Sequence, residues 1–229
     1  MLNPDARSLY TGAVTPPPGY VFAHAIATTY SLDPATVLSL PTHIALAERP
    51  PSNAIDPIKL LESLRRLSDR FSVYVDHTGI KPPAGSNVLF GLLESMVIPT
   101  IAPRGGVFHP KLWALRFVQP DVDEPSLIRL IILSRNITYD RSWDIALQLD
   151  GQPGQRYIAA NRTLGEFLKS LPSISDRSIS NSRRAQLNQL VEEIRKTVWE
   201  LPEGFEEVSF HVIGTNRKHW TPSWSHRMA

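Results

Sequence analysis

The chain has 229 residues, 42% hydrophobic and 20% charged, which is ample for a sizeable core and too apolar for a disordered or fibrous protein. It contains no cysteine, which excludes a disulfide framework and a cysteine-ligated zinc site. A net charge of +2 and a sequence pI of about 9.0 are compatible with a polyanionic partner and at least as well with an ordinary solvated surface, and they fall far short of a DNA-coating protein.

In chain order, Tyr20 to Leu32 is rich in Val, Ile, Thr, Tyr and Phe and reads as a strand. Asp33-Pro34 then supplies an N-cap followed by proline at the first helical position. A second Asp-Pro opens the stretch from Asp56 to Ser68, where Ile58, Leu60, Leu61, Leu64 and Leu67 recur at helical spacing. Phe71 to Val75 is a short strand. Asn87 to Met96 reads as a buried helix that ends before Pro99. The apolar stretch Val88 to Ile101 carries Glu94 and is shorter than the ~20 residues that cross a membrane.

The loop Pro103-Arg104-Gly105-Gly106 leads into a strand from Val107 to Phe117. Leu127 to Leu133 is nearly continuous apolar sequence, as in a central strand covered on both faces. Trp143 to Asp150 alternates, with Trp143, Ile145, Leu147 and Leu149 on the inward face. Tyr157 to Leu171 and Ser182 to Leu201 read as amphipathic helices, the second with Leu187, Leu190, Val191, Ile194, Val198 and Leu201 on one stripe. A last strand, Val208 to Gly214, precedes a tail with Trp220 and Trp224. Twenty prolines, clustered at Pro16-Pro17-Pro18, Pro50-Pro51 and Pro82-Pro83, mark stiff loops.

This order predicts an α/β fold: a mixed β-sheet flanked by helices on both faces, with a helical C-terminal part. The turn Gly151-Gln152-Pro153-Gly154 is the expected boundary between a half spanning 1–150 and a C-terminal extension, 151–229, packed on the same domain. The N-terminus lacks the basic-then-apolar pattern of a signal peptide, so a soluble, cytoplasmic protein without stable membrane association is expected.

Two triplets carry chemistry. His109-Pro110-Lys111 and Ser134-Arg135-Asn136 each place two capable side chains at i and i+2, which share one face of a strand. A lone strand histidine is more often structural than reactive, but Lys111 adds a cation beside it, and lysine is rarely buried without an anion. Ser134 to Asn136 taken alone reads better as the end of a strand, with Asn136 and Thr138 supplying turn hydrogen bonds. If the two strands pair, one sheet face carries a base or nucleophile, a cation and two neutral hydrogen-bonding groups, a set suited to a phosphodiester.

In order, each at an apolar strand, the two triplets resemble the phospholipase D superfamily, whose signature is His-x-Lys and then Ser-x-Asn. The resemblance covers roughly residues 105 to 150. It implies a phospholipase D-like half-domain with His109 as nucleophile or, in the other half-site, general acid, acting through a phosphohistidine. By the same resemblance Lys111 and Asn136 grip non-bridging phosphate oxygens, Ser134 supports that set, and Asp144 orients the imidazole. No metal or other cofactor is implied. Arg104, Arg135 and Arg141, with Arg116, are candidates to contact flanking phosphates, and a solvated surface accounts for them equally well.

The sequence departs from the pattern at three points. The position where many members carry Asp after the Lys holds Arg116; tyrosyl-DNA phosphodiesterases also do without that Asp. The downstream acid is Asp144 instead of the usual Glu. The third departure is the largest, since a full site takes two His-x-Lys motifs and this sequence has one. Either a homodimer joins two half-sites, or the chain is the first half of a two-motif protein. The resemblance and the mild basicity together imply a metal-independent nuclease acting on DNA or RNA as a homodimer, with a role in defence by analogy. The alternatives are a phospholipid phosphodiesterase or phosphatidyltransferase, and a non-catalytic nucleic-acid-binding half-site module.

Overall fold

Apolar runs with no polar face must be covered on both sides, and this chain contains enough of them to build a three-layer fold. The structure, a computed structural model, describes residues 10–47, 57–81, 85, 88–121, 125–139 and 144–213. Among these lie seven strands: β1 (Val21–Thr29), β2 (Phe71–Asp76), β3 (Val97–Thr100), β4 (Leu112–Val118), β5 (Leu127–Leu133), β6 (Ala146–Pro153) and β7 (Thr197–Trp199). They form one sheet in the order β3-β2-β1-β4-β5-β6-β7. The pairs β3–β2 and β2–β1 are parallel, and every pair from β1–β4 onward is antiparallel. The sheet is therefore mixed, as the sequence predicts.

Helices α1 (Tyr10–Val14), α2 (Pro34–Ala47), α3 (Pro57–Ser68) and α4 (Gly91–Met96) cover one face. Helices α5 (Arg162–Ser170) and α6 (Asn181–Lys196) cover the other. The predicted caps are made where they can be seen: the Thr36 N–H and hydroxyl both donate to Asp33 Oδ2, at 3.0 and 2.9 Å. Asp56 lies outside the described residues. On the first face, Phe22 stacks on Phe71 at 4.7 Å between centroids, and Trp113 meets Phe71 edge-on at 6.2 Å. Such pairs add about 0.5–1.5 kcal/mol each beyond the area they bury.

The alternation along β1 changes phase. Phe22 and Ala25 both join the first core, although they are three residues apart. An irregularity in the pairing with β4 between Phe22 and His24 inserts the residue that flips the parity. His24, Ile26 and Thr28 then share the second face, and Ala25, Ala27 and Thr29 the first.

Several expectations are corrected. β3 follows directly on the helix expected to end at Met96, and β7 lies inside the helix expected from Ser182 to Leu201; Pro99 is accommodated because β3 is at the sheet edge. The helical stripe stops at Lys196, after which Thr197 is extended and Val198 is exposed. The segment 208–213 forms no strand, and Gly214 lies outside the described residues. Gly151 to Pro153 is not a turn but the end of β6, where β7 pairs with it. A Cβ on Gly151 would overlap the Val198 carbonyl, so only glycine permits this approach. Of the inward-facing residues expected in β6, Leu149 is 1% exposed, but Ile145 is 75% and Leu147 37% exposed. Trp143 lies outside the described residues. No described helix is long and apolar enough to cross a membrane.

Candidate active site

Strand direction decides which residues meet. β1, β2 and β5 end at the same sheet edge at which β4 and β6 begin. His109 to Lys111 immediately precedes β4, Ser134 to Asn136 immediately follows β5, and Asp144 precedes β6. The pairing of β4 with β5 continues to the Leu133 N–H, which donates to the Lys111 carbonyl at 3.0 Å. The two triplets are thus held side by side.

The first triplet is not in a strand, because β4 starts at Leu112, later than the sequence suggests. Pro110 cannot donate to a ladder, so pairing begins only beyond it. The two side chains nevertheless meet: Lys111 Nζ lies 2.9 Å from His109 Nδ1 and 3.2 Å from Nε2. It also donates to the His109 carbonyl at 3.3 Å. The imidazole is exposed and the lysine half-buried. Desolvation holds the Lys111 amine below its usual pKa. The ring of Tyr30, at the end of β1, lies 5.1 Å from the imidazole, tilted by 37°.

In the second triplet, the Asn136 carbonyl oxygen accepts from the backbone N–H of Tyr30 at 3.2 Å and of Ser31 at 3.4 Å. This fixes the amide orientation, with the oxygen against the backbone and the NH₂ on the other side. Ser134 donates its hydroxyl proton to Asp144 Oδ1 at 2.9 Å and accepts the Ile145 N–H at 3.0 Å. The second Asp144 oxygen lies 3.4 Å from Arg135 Nη1. The Asp144 carboxylate is therefore engaged by Ser134 and Arg135, and its partners do not include His109, the group it was expected to orient.

The arginines divide. Arg104 is exposed on the short turn Pro103–Gly105 that leads to His109, with a left-handed φ of 61°. Arg135 Nη2 donates to the Thr138 carbonyl at 2.7 Å, so its guanidinium is turned inward. Arg116 is paired with Glu193 at 2.8 Å, on the face covered by α6. Arg141 lies outside the described residues.

Four site residues were not anticipated. Thr28 and Thr29, 1% and 0% exposed, point to opposite faces of β1. Thr28 Oγ1 accepts the Leu112 N–H at 3.2 Å, next to Lys111, and Thr29 Oγ1 accepts the Ile137 N–H at 3.1 Å, next to Asn136. One strand end thereby anchors both triplets. Tyr30 flanks the imidazole, and Asp76 binds the Phe108 N–H at 2.8 Å. The sequence signal for the first three is the Thr28-Thr29-Tyr30 run closing a strand, which many strands share, and Asp76 carries none.

The arrangement offers an exposed imidazole with a cation against it, and beside it a braced amide and hydroxyl. Such a set can attack phosphorus and bind its oxygens. No protein-family model matches the sequence, and no curated protein matches it. Solved structures do match. The yeast tyrosyl-DNA phosphodiesterase matches with a TM-score of 0.45 and 11% identity, over 76% of this chain and 35% of that one. A histidine-to-alanine variant of it matches at 0.47 and 12%, over 76% and 35%. The chain thus spans about a third of the length of the proteins it matches.

Proposed function

We propose that this chain is one half-site of a metal-independent phosphodiesterase of the phospholipase D kind, acting on nucleic acid and completed by a second copy of itself. The observation that carries the reading is the 2.9 Å approach of Lys111 Nζ to the exposed His109 imidazole, with Ser134 and Asn136 on the adjoining strand end. In the free protein the lysine nitrogen lies against the imidazole, within 3.2 Å of both ring nitrogens. A phosphodiester draws the ammonium to its non-bridging oxygens and frees the ring nitrogen. That nitrogen attacks phosphorus, the bond to the leaving oxygen breaks, and the imidazole of the second copy gives that oxygen a proton. Water then attacks the phosphohistidine, losing a proton to the second imidazole and restoring free His109. Lys111 and the Asn136 NH₂ oppose the charge that develops on the phosphoryl oxygens. Asp144 holds Ser134 and Arg135 in place instead of orienting the imidazole. Of the described arginines Arg104, Arg116 and Arg135, Arg104 is the exposed one, and it meets a flanking phosphate.

Support for the second copy comes from β6. Among the described residues β7 pairs with it only over Gly151–Pro153, leaving the outer edge of its first half unpaired. Ile145 and Leu147 are exposed there, beside Asp144. Exposed apolar edge sequence next to an incomplete site is what a twofold partner would cover.

The test is hydrolysis of bis(p-nitrophenyl) phosphate, of DNA and RNA, and of phosphatidylcholine vesicles, all in EDTA. Wild type is expected to cleave the nucleic acids, and His109→Ala and Lys111→Ala to lose at least about 10²-fold in rate. Activity that survives His109→Ala, or that EDTA abolishes, would sink the mechanism. Cleavage of the lipid alone would overturn the substrate class.

A further inference from the structure

A buried carboxylate is expensive unless its oxygens are met by donors, so its partners reveal what it is there to hold. Asp76, the last residue of β2, is 3% exposed. Its Oδ1 accepts the Thr78 N–H at 3.0 Å and the Thr78 hydroxyl at 2.6 Å, a local turn that one oxygen satisfies. Its Oδ2 reaches across 32 residues to the Phe108 N–H at 2.8 Å. That second bond is unnecessary for the turn. Among the described residues, it is the hydrogen bond by which another element grips the backbone of 107–110. Phe108 itself, 5% exposed, is anchored in the second core. The residue after this doubly fixed one is His109.

We propose that Asp76 is a positioning residue for His109: its carboxylate clamps the Phe108 amide, and so sets where the imidazole stands against Lys111. Burial alone would push the Asp76 carboxyl up, but the hydrogen bonds from Thr78 and from Phe108, with His77 nearby, outweigh it and hold its pKa below the usual value. The clamp is therefore ionised and acceptor-only, which lets each oxygen serve donors at once. Asparagine keeps the shape but presents an NH₂ to one set of these donors, so it cannot hold both the turn and Phe108.

The inference rests on the proposed phosphodiesterase reading, and the experiment separates the two. Asp76→Asn and Thr78→Val are made in the full chain. The second removes a donor from Oδ1 and leaves the Phe108 bond intact. Asp76→Asn is expected to lower kcat about 10²-fold with little change in KM, as a misplaced nucleophile does. Thr78→Val is expected to retain kcat while melting at a lower temperature. In ¹⁵N-edited spectra of the folded proteins, Asp76→Asn moves the Phe108 amide and the His109 ring signals and leaves those of His43 in place; Thr78→Val leaves all three. A folded Asp76→Asn protein with unmoved Phe108 and His109 signals overturns the positioning role whatever the activity. Equal loss of kcat in both variants overturns it in favour of a merely structural turn. Moved signals with no hydrolysis by wild type uphold the clamp and overturn the phosphodiesterase reading instead.

Discussion

Single residues in this chain are informative where their environment leaves one protonation state or one orientation. His24 is 5% exposed and lies on the face covered by α6, opposite Arg116 in the β1–β4 pairing. Burial first, and then the Arg116 guanidinium, lower its pKa to about 4; Glu193 acts in the opposite direction and Arg70 in the same one. Above pH 6.5 the imidazole is neutral in both folded and unfolded chains and contributes no pH dependence. Between 6.5 and 4 the unfolded chain takes up a proton that the folded one refuses, so stability falls as the pH falls. The loss by pH 4 is about 3 kcal/mol. Urea unfolding of wild type and His24→Leu at pH 7 and pH 4 checks this, since the variant should lose less by about that amount. Equal losses would remove His24 as the cause. His109 and Lys111 were legible in the sequence because they are two residues apart. Thr28 and Thr29 were not, because the amides they hold lie 84 and 108 residues away.

Elements were legible when one physical signal dominated. Leu127 to Leu133 is apolar but for Arg129 and forms β5 over the same residues. Asp33-Pro34 fixes the start of α2 through a cap that depends only on neighbouring atoms. β3 and β7 were missed because each is a short extension of a helix, four and three residues long, with no alternation of its own. What makes them strands is a partner's edge: Val73 to Asp76 for β3 and Gly151 to Pro153 for β7. Gly151→Ala tests the second pairing. The new methyl meets Val198 backbone, which cannot yield as a flexible side chain can, so unfolding should become easier by about 1–3 kcal/mol. A neutral Gly151→Ala would mean that β7 does not pack there.

For the whole molecule, the open question in the sequence was the missing second motif, and the exposed start of β6 is where a second copy is proposed to sit. The wild type should sediment at twice the 25.6 kDa of one chain. The double variant Ile145→Lys, Leu147→Lys should sediment as a monomer and lose nucleic-acid cleavage while each chain still folds, because both side chains are exposed in the single chain. A fully active monomer, of either protein, would count against the shared site. The exposure of these residues also shows why their alternation misled: it marked a strand correctly but could not say what lies against each face. α5 and α6 cover Leu149 and stop short of Leu147 and Ile145.

The sequence by itself determined the α/β class, the central strands, the capped helices and the two triplets, because hydrophobic period, caps and i, i+2 neighbours are local properties of the chain. Only the tertiary structure decided that the first triplet lies ahead of its strand, that the Asp144 carboxylate meets Ser134 and Arg135, and that Thr28, Thr29 and Asp76 accept backbone N–H groups beside the triplets. The physical reason is shared. A buried hydroxyl or carboxylate is placed by the donors that reach it, and here those donors arrive from strands far apart in the chain that the sheet order makes neighbours.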